Sequence, residues 1–167
     1  MAINKSGAAG GAAVVVAAIA ALIMPSEGIS LKAYKDPVGI PTICYGETQG
    51  VHYGDTKTKE ECEAMLYKRI GDYLGPVDKM MPGLPDNRRI AYTDFAYNVG
   101  LGKLTERTKR NGKEIIGTSF VDLEKAGKWQ ESCERLNKYV YAAGKKLNGL
   151  VKRRAEEYQI CMKSTEK

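Results

Sequence analysis

The sequence predicts an α+β fold, mostly helical, with a small antiparallel hairpin sheet near its N-terminal side. Three observations carry that expectation. After Thr58, apolar residues recur at helical spacing over long stretches. Between Tyr34 and Tyr53 the pattern changes to short β-like runs such as ICY, punctuated by Asp36-Pro37, Gly39, Gly46 and Gly50. The chain has 167 residues, 43% of them apolar, which suits one domain with a real core, or one domain plus a short appendage.

Ser26 to Ala33 can form a short helix, with Ser26 as N-cap and Glu27 in the favourable first turn. Tyr34 to Tyr53 then supplies two or three strands. TKEE at Thr58 is a capping-box start, opening a helix that runs to Ile70 or Leu74. MMPGLPD, Met80 to Asp86, is a Pro/Gly turn, and NRRIAYTDFAYNV, Asn87 to Val99, is the next helix. Further helical stretches fall near Thr118–Lys125, Trp129–Tyr139 and Leu150–Met162, with Gly127, Gly144 and Gly149 between them.

A net charge of +6 favours anionic surroundings: nucleic acid, phospholipid head groups or an acidic wall polymer. The basic patches KRNGK and KRR are short and lack interleaved aromatics, which argues against nucleic acid. The cysteines Cys44, Cys62, Cys133 and Cys161 include no CxxC pair, and His52 is the only histidine, so a metal site is poorly supplied. Four widely spaced cysteines fit two disulfides if the chain leaves the cytosol, and buried free thiols if it does not. His52 reads as a solvated loop residue.

Residues 1–24 form a segment apart from the domain expected over 25–167. The run from Ser6 to Ser26 carries no charge, and eight of the residues from Ala8 to Met24 are alanine. A membrane helix needs about 20 apolar residues, so the length suffices, but Ala and Gly make insertion marginal. Three readings stand: a permanent anchor, a cleaved signal peptide with Ala18-Ile19-Ala20 as a candidate site, and a reversible anchor that leaves the membrane and joins the fold. The third is preferred. Lys5 ahead of the run would leave the domain outside the inner membrane.

Glu27, Asp36 and Thr42 follow directly. Glycoside cleavage needs one protonated carboxyl to release the leaving oxygen, and a second, ionised one to stabilise positive charge or handle water. The bare spacing E-x8-D-x5-T is common. The flanking residues are not. EGISLKAYKDPVGIPTICYG resembles the catalytic segment of the phage-type lysozymes, the muramidases of glycosidase family 24, with E-G, a Y-K-D turn and G-x-x-T-x-x-x-G. AYTDFAYNVG (Ala91 to Gly100) resembles that family's long central helix with its N-V-G ending, and YVYAAGKKLNGLVKRRAEEYQIC (Tyr139 to Cys161) its W-x-Y-A-G-G-K…G-L-x-x-R-R-x-x-E block. The Ala/Gly-rich opening is similar to that of signal-anchor-release endolysins.

The resemblance implies a lysozyme-like fold with a helical lobe across a cleft from the sheet, and hydrolysis of the β-1,4 bond between N-acetylmuramic acid and N-acetylglucosamine in peptidoglycan. It implies Glu27 as general acid, Asp36 as the carboxylate that stabilises the cation or activates water, and Thr42 as the residue placing that water. An activated water implies inversion, with the wider separation of carboxyls. No cofactor or metal is implied. The implied partners are glycan strands and, through residues 7–24, the inner membrane facing the periplasm. The released, periplasmic form is expected to be a monomer.

Some positions depart from the family pattern. Glu47 stands where many members carry His, and Tyr139 where many carry Trp. After Gly100 the stretch GKLTERTKRNGKEIIGTSFVDL is longer and more basic than usual. Lys145, Lys146, Lys152, Arg153 and Arg154 read as a solvated basic face. By order along the chain, Cys44 on the sheet pairs with Cys62 on the following helix, and Cys133 with Cys161. Two other functions stay open: a secreted muramidase with a cleaved signal, and a non-catalytic wall-binding protein. A lytic transglycosylase is a further chemical variant.

Overall fold

A computed structural model of the protein describes residues 6–163, with side chains from residue 11 onward. The chain divides into two compact units, Met1–Asp72 and Tyr73–Lys167. Lys5 and the side chains of residues 6–10, which belong to the proposed N-terminal segment, lie outside the described residues.

The first unit opens with α1, Ser6–Glu27. Val15, Ile19, Ala20 and Ile23 are buried, a spacing that forms one stripe along the helix. Pro25 lies inside the last turn of the helix, where its missing N–H leaves the Ala21 carbonyl without its i+4 donor. Gly28, at φ 68°, ends the helix, and its N–H donates to the Met24 carbonyl at 3.1 Å. Among the described residues no helix is long and apolar enough to cross a membrane.

The short helix expected over Ser26–Ala33 is not there. Ser26 lies in the last turn of α1 and donates its hydroxyl to the Leu22 carbonyl at 3.0 Å, so it caps no N-terminus. Residues Ser30–Lys35 form strand β1 instead, paired antiparallel with β2, Pro41–Cys44. The reason is tertiary. Beyond its pairing with β2, β1 is bonded along its other edge, where the Ala33 N–H reaches the Asp55 carbonyl at 2.8 Å and the Lys57 N–H reaches the Leu31 carbonyl at 2.9 Å. Main-chain groups satisfied on both edges outweigh a weak local helix preference.

The helix α2, Lys59–Met80, begins at the anticipated capping box: the Glu61 N–H donates to the Thr58 hydroxyl, and the Thr58 N–H to the Glu61 carboxylate. It runs past Leu74 with Pro76 inside it. A disulfide joins Cys44 to Cys62.

In the second unit α3 (Asp86–Val99) and α7 (Asn148–Met162) pack together, with α4 (Gly102–Thr105), α5 (Phe120–Lys125) and α6 (Trp129–Arg135) alongside. A 3₁₀ turn, Leu136–Lys138, extends α6. Phe95, Phe120 and Tyr139 form an aromatic centre with ring centroids 4.9–5.9 Å apart. The basic stretch after Gly100 contains an unanticipated hairpin, β3 (Lys109–Arg110) with β4 (Lys113–Glu114), turned by Asn111-Gly112, a favoured type I′ pair. A second small hairpin, β5 (Tyr141–Ala142) with β6 (Lys145–Lys146), precedes α7. Cys133 and Cys161 are disulfide-bonded.

Candidate active site

Glu27, Asp36 and Thr42 all fall in the first unit, on the end of α1 and on the β1–β2 hairpin. Glu27 is the last residue of α1 rather than the first-turn residue expected. Two residues separate it from β1, whose first residue, Ser30, pairs with Cys44 at the end of β2. The loop after Cys44 therefore returns to the acid. A Cβ placed on Gly46 would lie 3.8 Å from Oε2 of Glu27.

Asp36 occupies the other end of the hairpin. Lys35 pairs with Pro41, and Asp36 opens the turn between them. Its Oδ1 accepts two main-chain N–H groups, from Val38 at 2.9 Å and Ile40 at 2.8 Å. The Asp36 N–H donates to the Ile40 carbonyl at 3.0 Å, closing the turn. This is the usual use of Asp at a turn, its side chain bonding the main chain two residues on. It also fixes the carboxylate: one oxygen is engaged, while Oδ2 has no hydrogen-bond partner among the described residues.

Thr42 lies on β2 directly opposite Tyr34 and is buried. Its hydroxyl donates to the Ile40 carbonyl at 3.0 Å. With its proton so committed, the oxygen keeps lone pairs that can accept from a water. Asp36 and Thr42 thus share Ile40: one takes its N–H, the other its carbonyl.

Glu47 is structural. Its main chain exchanges two hydrogen bonds with Ile43, both 2.9 Å, and its Oε1 accepts the N–H groups of Thr48 and Gln49. His52 is exposed in a loop, 3.9 Å from Asp55.

The basic C-terminal face needs correction. Lys145, Lys146 and Lys152 are exposed, but Arg154 is buried in the second unit and Arg153 is only partly exposed, its side chain turned inward. Arg153 donates to Asp94 at 2.9 and 3.2 Å, and Arg154 donates to Glu157 at 2.6 Å and lies over the Phe95 ring. Buried charges persist only when paired, and here two guanidinium groups face two carboxyls. Burial, with the Asp94 carboxyl beside it, pushes Glu157 up to about 10. The RRxxE spacing on a helix was the available signal, since i, i+3 and i, i+4 place these side chains on one face. Asp94, some sixty residues away in sequence, left none.

Comparison with known proteins bears on the whole arrangement. The family model described as Phage lysozyme matches residues 24–157. The SAR-endolysin of Enterobacteria phage P21 is 33% identical over 165 residues, covering 93% of this chain and 91% of that protein. The crystal structure of the active form of P1 phage endolysin Lyz aligns with a TM-score of 0.77 at 29% identity, covering 92% of each chain. The secreted inactive form of the same endolysin aligns with a TM-score of 0.54 at 26% identity, covering 91% of this chain and 93% of that one.

Proposed function

The chain belongs to the phage lysozyme family, and from that premise we propose that it is an endolysin, hydrolysing the β-1,4 bond between N-acetylmuramic acid and N-acetylglucosamine of peptidoglycan to lyse a bacterial cell. The fold is lysozyme-like and the chemistry that of a glycoside hydrolase. The observation that carries the assignment of residues is the Asp36 turn: a carboxylate held by two amides through one oxygen, with the other oxygen left for chemistry.

In the proposed reaction Glu27 protonates the glycosidic oxygen as the bond to the anomeric carbon breaks. Positive charge builds on that carbon, and ionised Asp36 stabilises it. Asp36 Oδ2 takes a proton from a water that also donates to the Thr42 hydroxyl oxygen, and the water attacks from the face opposite the leaving group. The product is inverted. Replacing Glu27 by Gln removes the proton donor without changing size, so Glu27→Gln should abolish clearing of exposed cell walls while circular dichroism stays unchanged. Undiminished clearing refutes the assignment. Proton spectra of the first product formed should show the α anomer, and a β anomer refutes inversion.

Residues 7–24 act as a reversible anchor, placing the chain on the periplasmic side of the inner membrane before release and leaving it a soluble periplasmic monomer afterwards. Support comes from the names of the relatives and from α1, whose Val15, Ile19, Ala20 and Ile23 are buried in the folded protein. A segment that is marginal in a bilayer and has a buried stripe in the fold has two destinations a few kcal/mol apart, and loss of membrane potential can shift the balance. Only Pro25 and Ser26 separate the run from Glu27, so the location of the run governs the position of the acid. Fractionation checks this: active soluble protein lacking residues 1–24 would rule out the refolding step.

A further inference from the structure

The hairpin that carries Asp36 exposes an unusual amount of apolar surface. Val38 at its tip is 79% exposed and Tyr53, beside Lys35, 73%, while Ile29, Leu31, Tyr34 and Ile40 are each close to half exposed. Lys35 lies over the Tyr53 ring, and a groove of about 560 Å³ runs along Lys32, Ala33, Tyr34, Lys35 and Tyr53. Single exposed apolar residues are ordinary, whereas a cluster of them with aromatic and basic neighbours marks an interaction surface.

Lys32 and Lys35 border this surface, and one oxygen of each nearby carboxylate is held by the main chain: Asp36 Oδ1 accepts from Val38 and Ile40, and Asp55 accepts the His52 N–H at 2.8 Å. Lys32 and Lys35 form no ion pair with any described carboxylate and are exposed. Aliphatic tip, tyrosines and free ammonium groups are the combination suited to a bilayer interface, where rings sit at headgroup level and lysine heads meet anionic phosphate.

Chain length places the bilayer within reach. Ile29 is five residues from Met24, at most about 18 Å of extended chain. If residues 7–24 are in the membrane, the hairpin cannot leave its vicinity. We propose that the hairpin is a docking surface for anionic phospholipid headgroups, occupied while α1 is inserted and vacated on release. The inference rests on the anchor reading above. Its consequence is regulatory: a tip buried among headgroups cannot approach a glycan strand, so the tethered form is held inactive at Asp36 as well as at Glu27.

The test uses the full chain with Trp129→Phe and a new probe at Val38→Trp, or at Tyr53→Trp should the first disturb the turn. The protein is mixed with vesicles of phosphatidylethanolamine and phosphatidylglycerol brominated on their acyl chains. Co-flotation with loss of probe emission is expected, while a probe at exposed Tyr141→Trp in the second unit keeps its emission. Lys32→Glu with Lys35→Glu should restore emission at residue 38 without releasing the protein from the vesicles. Co-flotation with an unquenched hairpin probe overturns this inference and leaves the anchor intact. Failure to co-float overturns both. A probe that responds to soluble glycan fragments but not to lipid makes the surface a sugar platform and overturns the docking.

Discussion

Gly46 leaves the Glu27 carboxylate its space: a Cβ there would stand 3.8 Å from Oε2, on a residue whose φ is 84°. The contact is an ordinary one, so the backbone conformation is the greater constraint. Placing a side chain at positive φ costs about 1–2 kcal/mol. Gly46→Ala should therefore lower stability by that amount, read from urea unfolding. It should also reduce wall clearing, because relief of the strained backbone at residue 46 shifts the loop that lies against the acid.

Asp36 does two jobs that substitution can separate. Asp36→Asn keeps an oxygen to accept from Val38 and Ile40 but loses the negative charge, so activity should vanish while the fold persists. Asp36→Ala loses the oxygen that accepts both bonds, and stability should fall by a further 2 kcal/mol or so, about the net value of two lost turn hydrogen bonds. Equal melting temperatures for the two variants would contradict the turn's role.

The two disulfides close loops of different length, with separations of 18 residues for Cys44–Cys62 and 28 for Cys133–Cys161. In the chain-entropy account each contributes about 3 kcal/mol or slightly more, the longer loop exceeding the shorter by a few tenths. Paired Cys→Ala variants followed by denaturant titration check both magnitudes and their order.

Glu157 makes stability depend on pH. In the unfolded chain its proton leaves near the ordinary value of 4.5, whereas in the fold it is held to about 10. Between those limits the unfolded state binds fewer protons, so rising pH favours unfolding. The stabilising contribution is complete below 4.5 and gone by about 10, with a slope of at most about 1.4 kcal/mol per pH unit. Glu157→Gln should flatten that slope in unfolding free energies measured across the window. An unchanged slope would assign it to other groups.

By itself the sequence determined what a few neighbouring residues decide. The Thr58–Glu61 capping box and the Asp36-Pro37 turn act through bonds within four residues. The family motif around Glu27, Asp36 and Thr42 is likewise contiguous, so the candidate site was readable without a fold. Tertiary structure decided the rest. Ser30–Lys35 became a strand because Asp55 and Lys57 supply a second edge. Arg153 and Arg154 turned inward because Asp94 and Glu157 meet them inside. A stripe of α1 was buried although its composition also suits a bilayer surface. In each case the deciding partner lies in surroundings that exist only once the chain is folded, and desolvation or edge pairing outweighs a local preference worth a fraction of a kcal/mol per residue.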